Sequence, residues 1–232
     1  MTGTLINVGA VIVGSLIGMS IRSKLPERVI SSVFQAIGLF TLIIGVFMGL
    51  KTNNFLIVLL SLISGVILGE LLNIEKSTEK ISNKLKNLIK SKNEKFNQGL
   101  MTAFLLYCMG TMAILGAIDE GIGNGPELLI LKSVMDGISS IALASAFGIG
   151  VLVSALPLLI YQGSITLFAS FLENYLTEIY LNELTAVGGI ILLGLALNIL
   201  EIKKIKIMNM IPALVFVFLF TWLFSIFNWL NT

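Results

Sequence analysis

The 47 residues from Pro126 to Leu172, PELLILKSVMDGISSIALASAFGIGVLVSALPLLIYQGSITLFASFL, decide the fold. They contain no polar loop, yet they are too long for one bilayer-spanning helix, which takes about 20 apolar residues. Two helices joined by a tight turn at Phe147-Gly148-Ile149-Gly150 fit, because glycine takes the positive φ that such a turn needs. With this segment split, the chain shows eight spans, near 4–21, 30–50, 55–74, 99–118, 127–147, 149–172, 184–201 and 209–230.

Charge placement tests the split independently, since loops on the cytoplasmic side of a membrane protein collect Lys and Arg. With eight spans, thirteen of the 15 basic residues fall in odd-numbered loops: Arg22, Lys24 and Arg28, then seven lysines from Lys76 to Lys95, then Lys203, Lys204 and Lys206. The other side collects Asp119, Glu120, Glu127, Glu173, Glu178 and Glu183. Merging the two disputed helices would move the last lysine group across the membrane. The expectation is therefore an all-α, polytopic bundle of about eight transmembrane helices, a single membrane domain over 1–232, in a bacterial inner membrane with both termini outside.

Composition agrees. Of 232 residues, 56% are hydrophobic and 12% charged, with a mean hydropathy of +0.98. Soluble domains carry about 25% charged residues, so lipid is the solvent that suits this chain. There is no histidine and one cysteine, Cys108. That leaves no disulfide framework, no Cys/His metal site and no imidazole base. No phosphate-binding G-x-x-x-x-G-K-[ST] loop occurs, nothing suggests nucleic acid, and no cofactor or metal is expected. The run Leu5 to Ile21 lacks a positive region before it and ends at Arg22-x-Lys24, so it is read as a retained first helix. Trp222 and Trp229 suit a last helix with an interfacial end.

The long basic loop, 75–98, has Ile81, Leu85, Leu88 and Ile89 at helical spacing among its seven lysines. That describes an amphipathic helix on an anionic membrane surface; a solvated loop that enforces topology is the plainer reading. Two segments echo each other: Gly65-Val-Ile-Leu-Gly69-Glu-Leu-Leu-Asn73 and Gly189-Ile-Ile-Leu-Leu-Gly194-Leu-Ala-Leu-Asn198. A second echo joins Phe34-Gln35-Ala36 to Tyr161-Gln162-Gly163. Together they suggest a parallel duplication of four helices, with repeats 1–118 and 126–230.

Ionisable side chains within lipid are costly, about 2.5 to 3.5 kcal/mol at a helix centre, so each calls for a reason. If the fifth helix begins at Glu127, Asp136 lies around 13 Å in, near the midplane. Lys132 stands four residues earlier on the same face. A neutralised ion pair that helps insertion is one reading; an ion or substrate ligand tuned by Lys132 is the other. Ser139 and Ser140 follow, within a run of small residues that allows close helix approach or a passage. The next helix carries Pro157, Gln162, Gly163 and Thr166. Pro157 frees a carbonyl one turn earlier and Gly163 weakens the helix again, as in interrupted helices that coordinate cations, although a plain packing kink also explains Pro157. Glu70 is a second carboxylate candidate close to a helix end. Gln35 and Gln162 are deeper polar groups. The pairs Gly14/Gly18, Gly45/Gly49 and Gly65/Gly69 have the spacing of close helix packing.

The pattern Lys132-Ser-Val-Met-Asp136-Gly137-Ile-Ser-Ser140-Ile-Ala-Leu-Ala144, with Gly148-x-Gly150-Val, Ser154-Ala155 and Tyr161-Gln162-Gly163, resembles the YqgA/YdfK family of bacterial integral membrane proteins. The first helix and the segment Gly69-Glu-Leu-Leu-Asn-Ile-Glu75 share the resemblance, which covers essentially the whole chain. It implies a membrane location and, for activity, a sodium channel or pump with an influence on biofilm formation. It carries no catalytic or binding residue across.

Three functions follow from these readings. A secondary transporter or channel for a small cation (sodium or a proton) or a small solute would use Asp136, Gln162, Ser140 and Thr166 along its path. A non-transporting scaffold or signalling component would act through the basic loop 75–98. An intramembrane enzyme is not expected, because no nucleophile–base pair appears. Partners are the lipid bilayer, the transported species and, through the glycine-rich faces, a second copy in a homodimer.

Overall fold

A computed structural model describes residues 1–22, 24–172 and 177–226. Glu173, Trp229 and the end of the last expected span lie outside them. The described residues form helices α1 (Thr2–Arg22), α2 (Glu27–Gly49), α3 (Phe55–Leu71), α4 (Ile74–Leu88), α5 (Phe96–Cys108), α6 (Thr111–Ile122), α7 (Glu127–Phe147), α8 (Ile149–Val153), α9 (Ala155–Leu167), α10 (Ala169–Leu172), α11 (Glu178–Ile199) and α12 (Ala213–Ile226), with a 3-10 turn at Ile207–Met210 before the last. Among the described residues, six stretches are long and apolar enough to cross a membrane, or up to eight when each of two bent pairs counts as one span.

The turn expected at 147–150 is present. Gly148 closes α7 and adopts φ +74°, a region that side-chain-bearing residues rarely enter. The expected continuous span at 99–118 is instead broken: α5 and α6 meet at 62° across Met109-Gly110. The basic segment does form a helix, α4, which turns away from α3 by 62° at Asn73, with φ +53°. Asparagine is among the few side chains that tolerate this left-handed corner.

By contacts the chain divides into two compact units. One comprises Met1–Ile37 and Ser82–Asn174, the other Gly38–Ile81 and Tyr175–Thr232. In the first, the buried stripe of α1 runs through Thr4, Asn7, Val11, Gly14 and Gly18, every third or fourth residue. A Cβ at Gly14 would strike the Gly137 carbonyl, and one at Gly18 the Ile141 carbonyl. Both contacts advance in the same direction, so α1 and α7 run parallel with their backbones nearly touching. In the second unit, Gly65 and Gly69 of α3 meet Ala213 and Asn209 in descending order, so α3 and α12 run antiparallel. Gly45 sets α2 against Gly189 of α11.

Outward faces carry large apolar side chains, including Phe40 at 63%, Phe47 at 72% and Val215 at 73% exposure. Surfaces of this kind would aggregate in water and are ordinary in lipid.

Candidate functional site

The glycine register of α1 on α7 brings Asn7 opposite Asp136. Lys132, Asp136 and Ser140 occupy one face of α7, one turn apart, and all three are buried. Gln162 and Thr166 form the matching pair on α9, also buried. The halves of the broken span complete the site, with Tyr107 in the last turn of α5 and Glu120 near the end of α6.

Asn7 is the centre. Its Nδ2 donates to Asp136 Oδ2 at 3.0 Å and to Gln162 Oε1 at 3.0 Å. The Lys132 ammonium donates to the same carboxylate oxygen and lies 5.9 Å from the centre of the Tyr107 ring. Ser140 gives its hydroxyl proton to the Asp136 carbonyl at 2.6 Å, which leaves the Tyr107 hydroxyl to donate to Ser140 Oγ at 2.7 Å. Toward the Thr2 end of α1, Glu120 accepts from the Gly3 amide at 2.5 Å, the Thr4 amide at 3.3 Å and the Thr4 hydroxyl at 3.0 Å. The Met1 ammonium lies 3.3 Å from it. Since the Thr4 proton is committed to Glu120, Thr166 donates to Thr4 across 3.3 Å. The result is a column of polar side chains along α1, α7 and α9, from Glu120 to Tyr107, within an apolar bundle.

Two atoms of the column have no partner: Asn7 Oδ1 and Gln162 Nε2. Swapping oxygen and nitrogen on either amide does not help. Asp136, when ionised, only accepts, so Asn7 must face it with nitrogen, and Gln162 must then face Asn7 with oxygen. Both residues are 0% exposed, and a buried polar atom without a bond costs about 1 to 3 kcal/mol. Asp136 and Lys132 cancel in charge, so these free amide atoms are the unspent bonding capacity at the centre of the cluster.

Asp136, Lys132, Ser140, Gln162 and Thr166 thus come together as five members of one site. Ser139 is half-buried beside it and forms none of these bonds. Pro157 sits in the first turn of α9, where a missing N–H costs nothing; the helix break precedes it, at Ser154. No bond of the column involves Pro157, and the strongly bent span in this unit is α5–α6. Gly163 is buried within an unbroken α9 and leaves room for the Met1 methyl. Gln35 is exposed on the surface of α2. Glu70 belongs to the other unit, is 45% exposed in its side chain, and pairs with Lys206 at 2.7 Å. Neither of the last two joins the column.

Four members escaped the sequence reading: Asn7, Thr4, Tyr107 and Glu120. Asn7 was legible in principle, as the one amide in an otherwise apolar and glycine-rich first helix. Tyr107 and Glu120 depend on the break at Met109-Gly110, which no proline announces.

A family described as "Protein of unknown function (DUF554)" matches residues 2–222. The "Uncharacterized membrane protein YdfK" of Bacillus subtilis (strain 168) is 35% identical over 218 residues, covering 92% of this chain and 93% of the relative. The "Uncharacterized protein YqgA" of Escherichia coli (strain K12) is 33% identical over 217 residues, covering 91% and 92%. No solved structure matches. With the match taking in all of α1, α7 and α9, the chain belongs to the DUF554 family and is a polytopic helical membrane protein.

Proposed function

We propose that the protein is a secondary transporter or channel that moves a small cation or small polar solute across the bacterial inner membrane, with both termini on the outer side. The route is the column between α1, α7 and α9. The observation that carries this reading is the pair of unpartnered buried amide atoms, Asn7 Oδ1 and Gln162 Nε2, next to the Asp136 carboxylate.

A purely structural ion pair needs neighbouring hydrogen bonds only for its own unfilled lone pairs and protons. Here it is bordered by groups able to bind something further. In the form described, the Lys132 ammonium occupies the cation position on Asp136. An arriving cation competes with that tethered ammonium, and a polar solute bonds to the two free amide atoms; either arrival loosens the Lys132–Asp136 pair. Thr4 and Thr166 on one side, and Ser140 and Tyr107 on the other, offer hydroxyls that replace lost hydration.

The test is flux through vesicles containing the purified protein, scanned over alkali cations, protons and small polar solutes. Asp136→Asn abolishes the flux on this reading, while Lys84→Gln with Lys86→Gln, on α4, leaves it intact. Flux that persists in Asp136→Asn removes the column from the route. A protein that moves none of the tested species, yet loses a cellular phenotype with the α4 changes, is a scaffold instead.

A further inference from the structure

Helix α4 is not part of the polar column, and its construction calls for a separate explanation. It begins after the Asn73 corner and is inclined 62° to α3. If α3 crosses along the bilayer normal, α4 lies within about 30° of the membrane plane, and the usual span tilt of about 20° permits a flat setting. Side-chain bonds fix which way it is rolled. The Glu75 amide donates to Asn209 Oδ1 at 2.7 Å, and Met208 N–H donates to Glu75 Oε2 at 3.0 Å. Further along, Ser82 points inward and donates to Asn97 Oδ1 at 2.6 Å.

With Ser82 turned in, a turn of 100° per residue decides the rest. Lys76, Lys80 and Lys84, spaced four apart, form an exposed stripe. Beside it runs a second exposed stripe of Ile81 at 60% and Leu88 at 79%. An apolar edge flanked by a row of lysines, on a helix near the membrane plane, matches the boundary between acyl chains and phosphates. An apolar groove on a protein partner would cover Ile81 and Leu88 but leave the adjacent lysine row without counter-charge; an acidic lipid layer meets both.

We infer that α4 is a binding surface for acidic phospholipid headgroups, with Ile81 and Leu88 seated among the upper acyl carbons and Lys76, Lys80 and Lys84 on lipid phosphates. This holds whether or not the protein transports anything. The lysines add long-range attraction to a surface that the apolar pair alone would hold weakly, each worth about a fivefold change in the seated-to-free ratio.

The lone native thiol, Cys108, is buried, so Ile81→Cys provides a single reactive position on the full chain. That variant, carrying an environment-sensitive fluorophore, is placed in nanodiscs of phosphatidylcholine alone or with phosphatidylglycerol. The expected result is a blue-shifted emission, quenched by spin-labelled acyl chains, that strengthens with phosphatidylglycerol and weakens in high salt. Lys76→Gln, Lys80→Gln and Lys84→Gln together should remove the dependence on phosphatidylglycerol while leaving the protein monodisperse. A label equally quenched in both lipids, with or without the lysines, overturns acidic-lipid recognition. A label that stays in water in both lipids overturns the seat itself and leaves the face to a protein partner.

Discussion

The Lys132–Asp136 pair allows a structural role to be separated from a functional one, because the two roles respond oppositely to removing both charges. Lys132 is 5% and Asp136 7% exposed, so removing either partner alone strands a charge in the bundle, at about 3 to 5 kcal/mol. At 2 to 4 °C per kcal/mol for a chain of this size, Lys132→Met should unfold roughly 6 to 20 °C below the parent. The double variant Lys132→Met with Asp136→Asn strands nothing. The introduced amide keeps an oxygen for Asn7 Nδ2, and the methionine fills the lysine's apolar stem volume. Neutral replacements of buried ion pairs are often as stable as the original or better. Detergent-solubilised protein monitored by intrinsic fluorescence on heating should show the double variant within a few degrees of the parent. Reconstituted into vesicles, that stable double variant should carry no flux. A single Lys132→Met variant that melts with the parent would refute the premise that this pair sits in a dry environment. A double variant as unstable as the single one would refute the charge argument, and a double variant that transports normally would reduce the pair to an insertion device.

Four further outcomes follow from the packing, a cap and an exposed ion pair. Gly14→Val drives a side chain into the Gly137 carbonyl and should part α1 from α7, destabilising the protein by about 1 to 3 kcal/mol or more and abolishing flux. Gly9→Ala, on the same helix with nothing within 4 Å, should instead raise stability by about 0.5 to 1 kcal/mol in the same melting assay. Glu183 is 0% exposed and accepts from the Thr52 hydroxyl at 2.6 Å and from the Asn53 and Asn54 amides at 2.7 and 3.1 Å, so Glu183→Ala should loosen the start of α3 and lower stability by at least the roughly 1 kcal/mol of a lost helix cap. Glu70→Gln, at an exposed side chain that meets Lys206 and Asn209, should leave melting and flux unchanged; a large loss of either would return Glu70 to the site.

The all-α, polytopic class was legible because lipid imposes a length on apolar helices, and that signal survives in a single sequence. The turn at Gly148 was legible for the same reason, since 47 residues without a polar loop exceed one span and Gly148 and Gly150 offer the positive φ a turn needs. What escaped was whatever depends on register between distant helices. Asp136 and Lys132 were found because a charge in lipid is conspicuous alone. Asn7 was passed over because an uncharged amide draws notice only once a partner stands opposite, and that partner lies 129 residues away. Gln35 and Gln162 show the converse: their local sequences are alike, yet one is exposed and the other fully buried. Glu70 resembled a buried acid from its place in an apolar run, but the Lys206 that meets it comes from the far end of the chain. The interleaving of the two units, with boundaries inside α2 and α4, likewise reflects pairings that no local pattern records.

The column has a cost that packing does not explain. Leucine or methionine at both Asn7 and Gln162 would fill similar volume and leave neither of these amide atoms idle, at the loss of one bond to the Asp136 carboxylate. Holding Asp136 takes one N–H of Asn7, whose second N–H meets Gln162 Oε1, and Gln162 adds no bond to the carboxylate. Gln162 adds instead a second anchored amide, leaving a free N–H on α9 and a free C=O on α1. A species that donates to one and accepts from the other would bridge these helices beside the ion pair, and whether they close or part would then depend on whether it is bound. A Gln162→Leu variant that melts higher than the parent but loses flux would display that trade directly, whereas one that melts higher and transports equally well would show the amide to be idle.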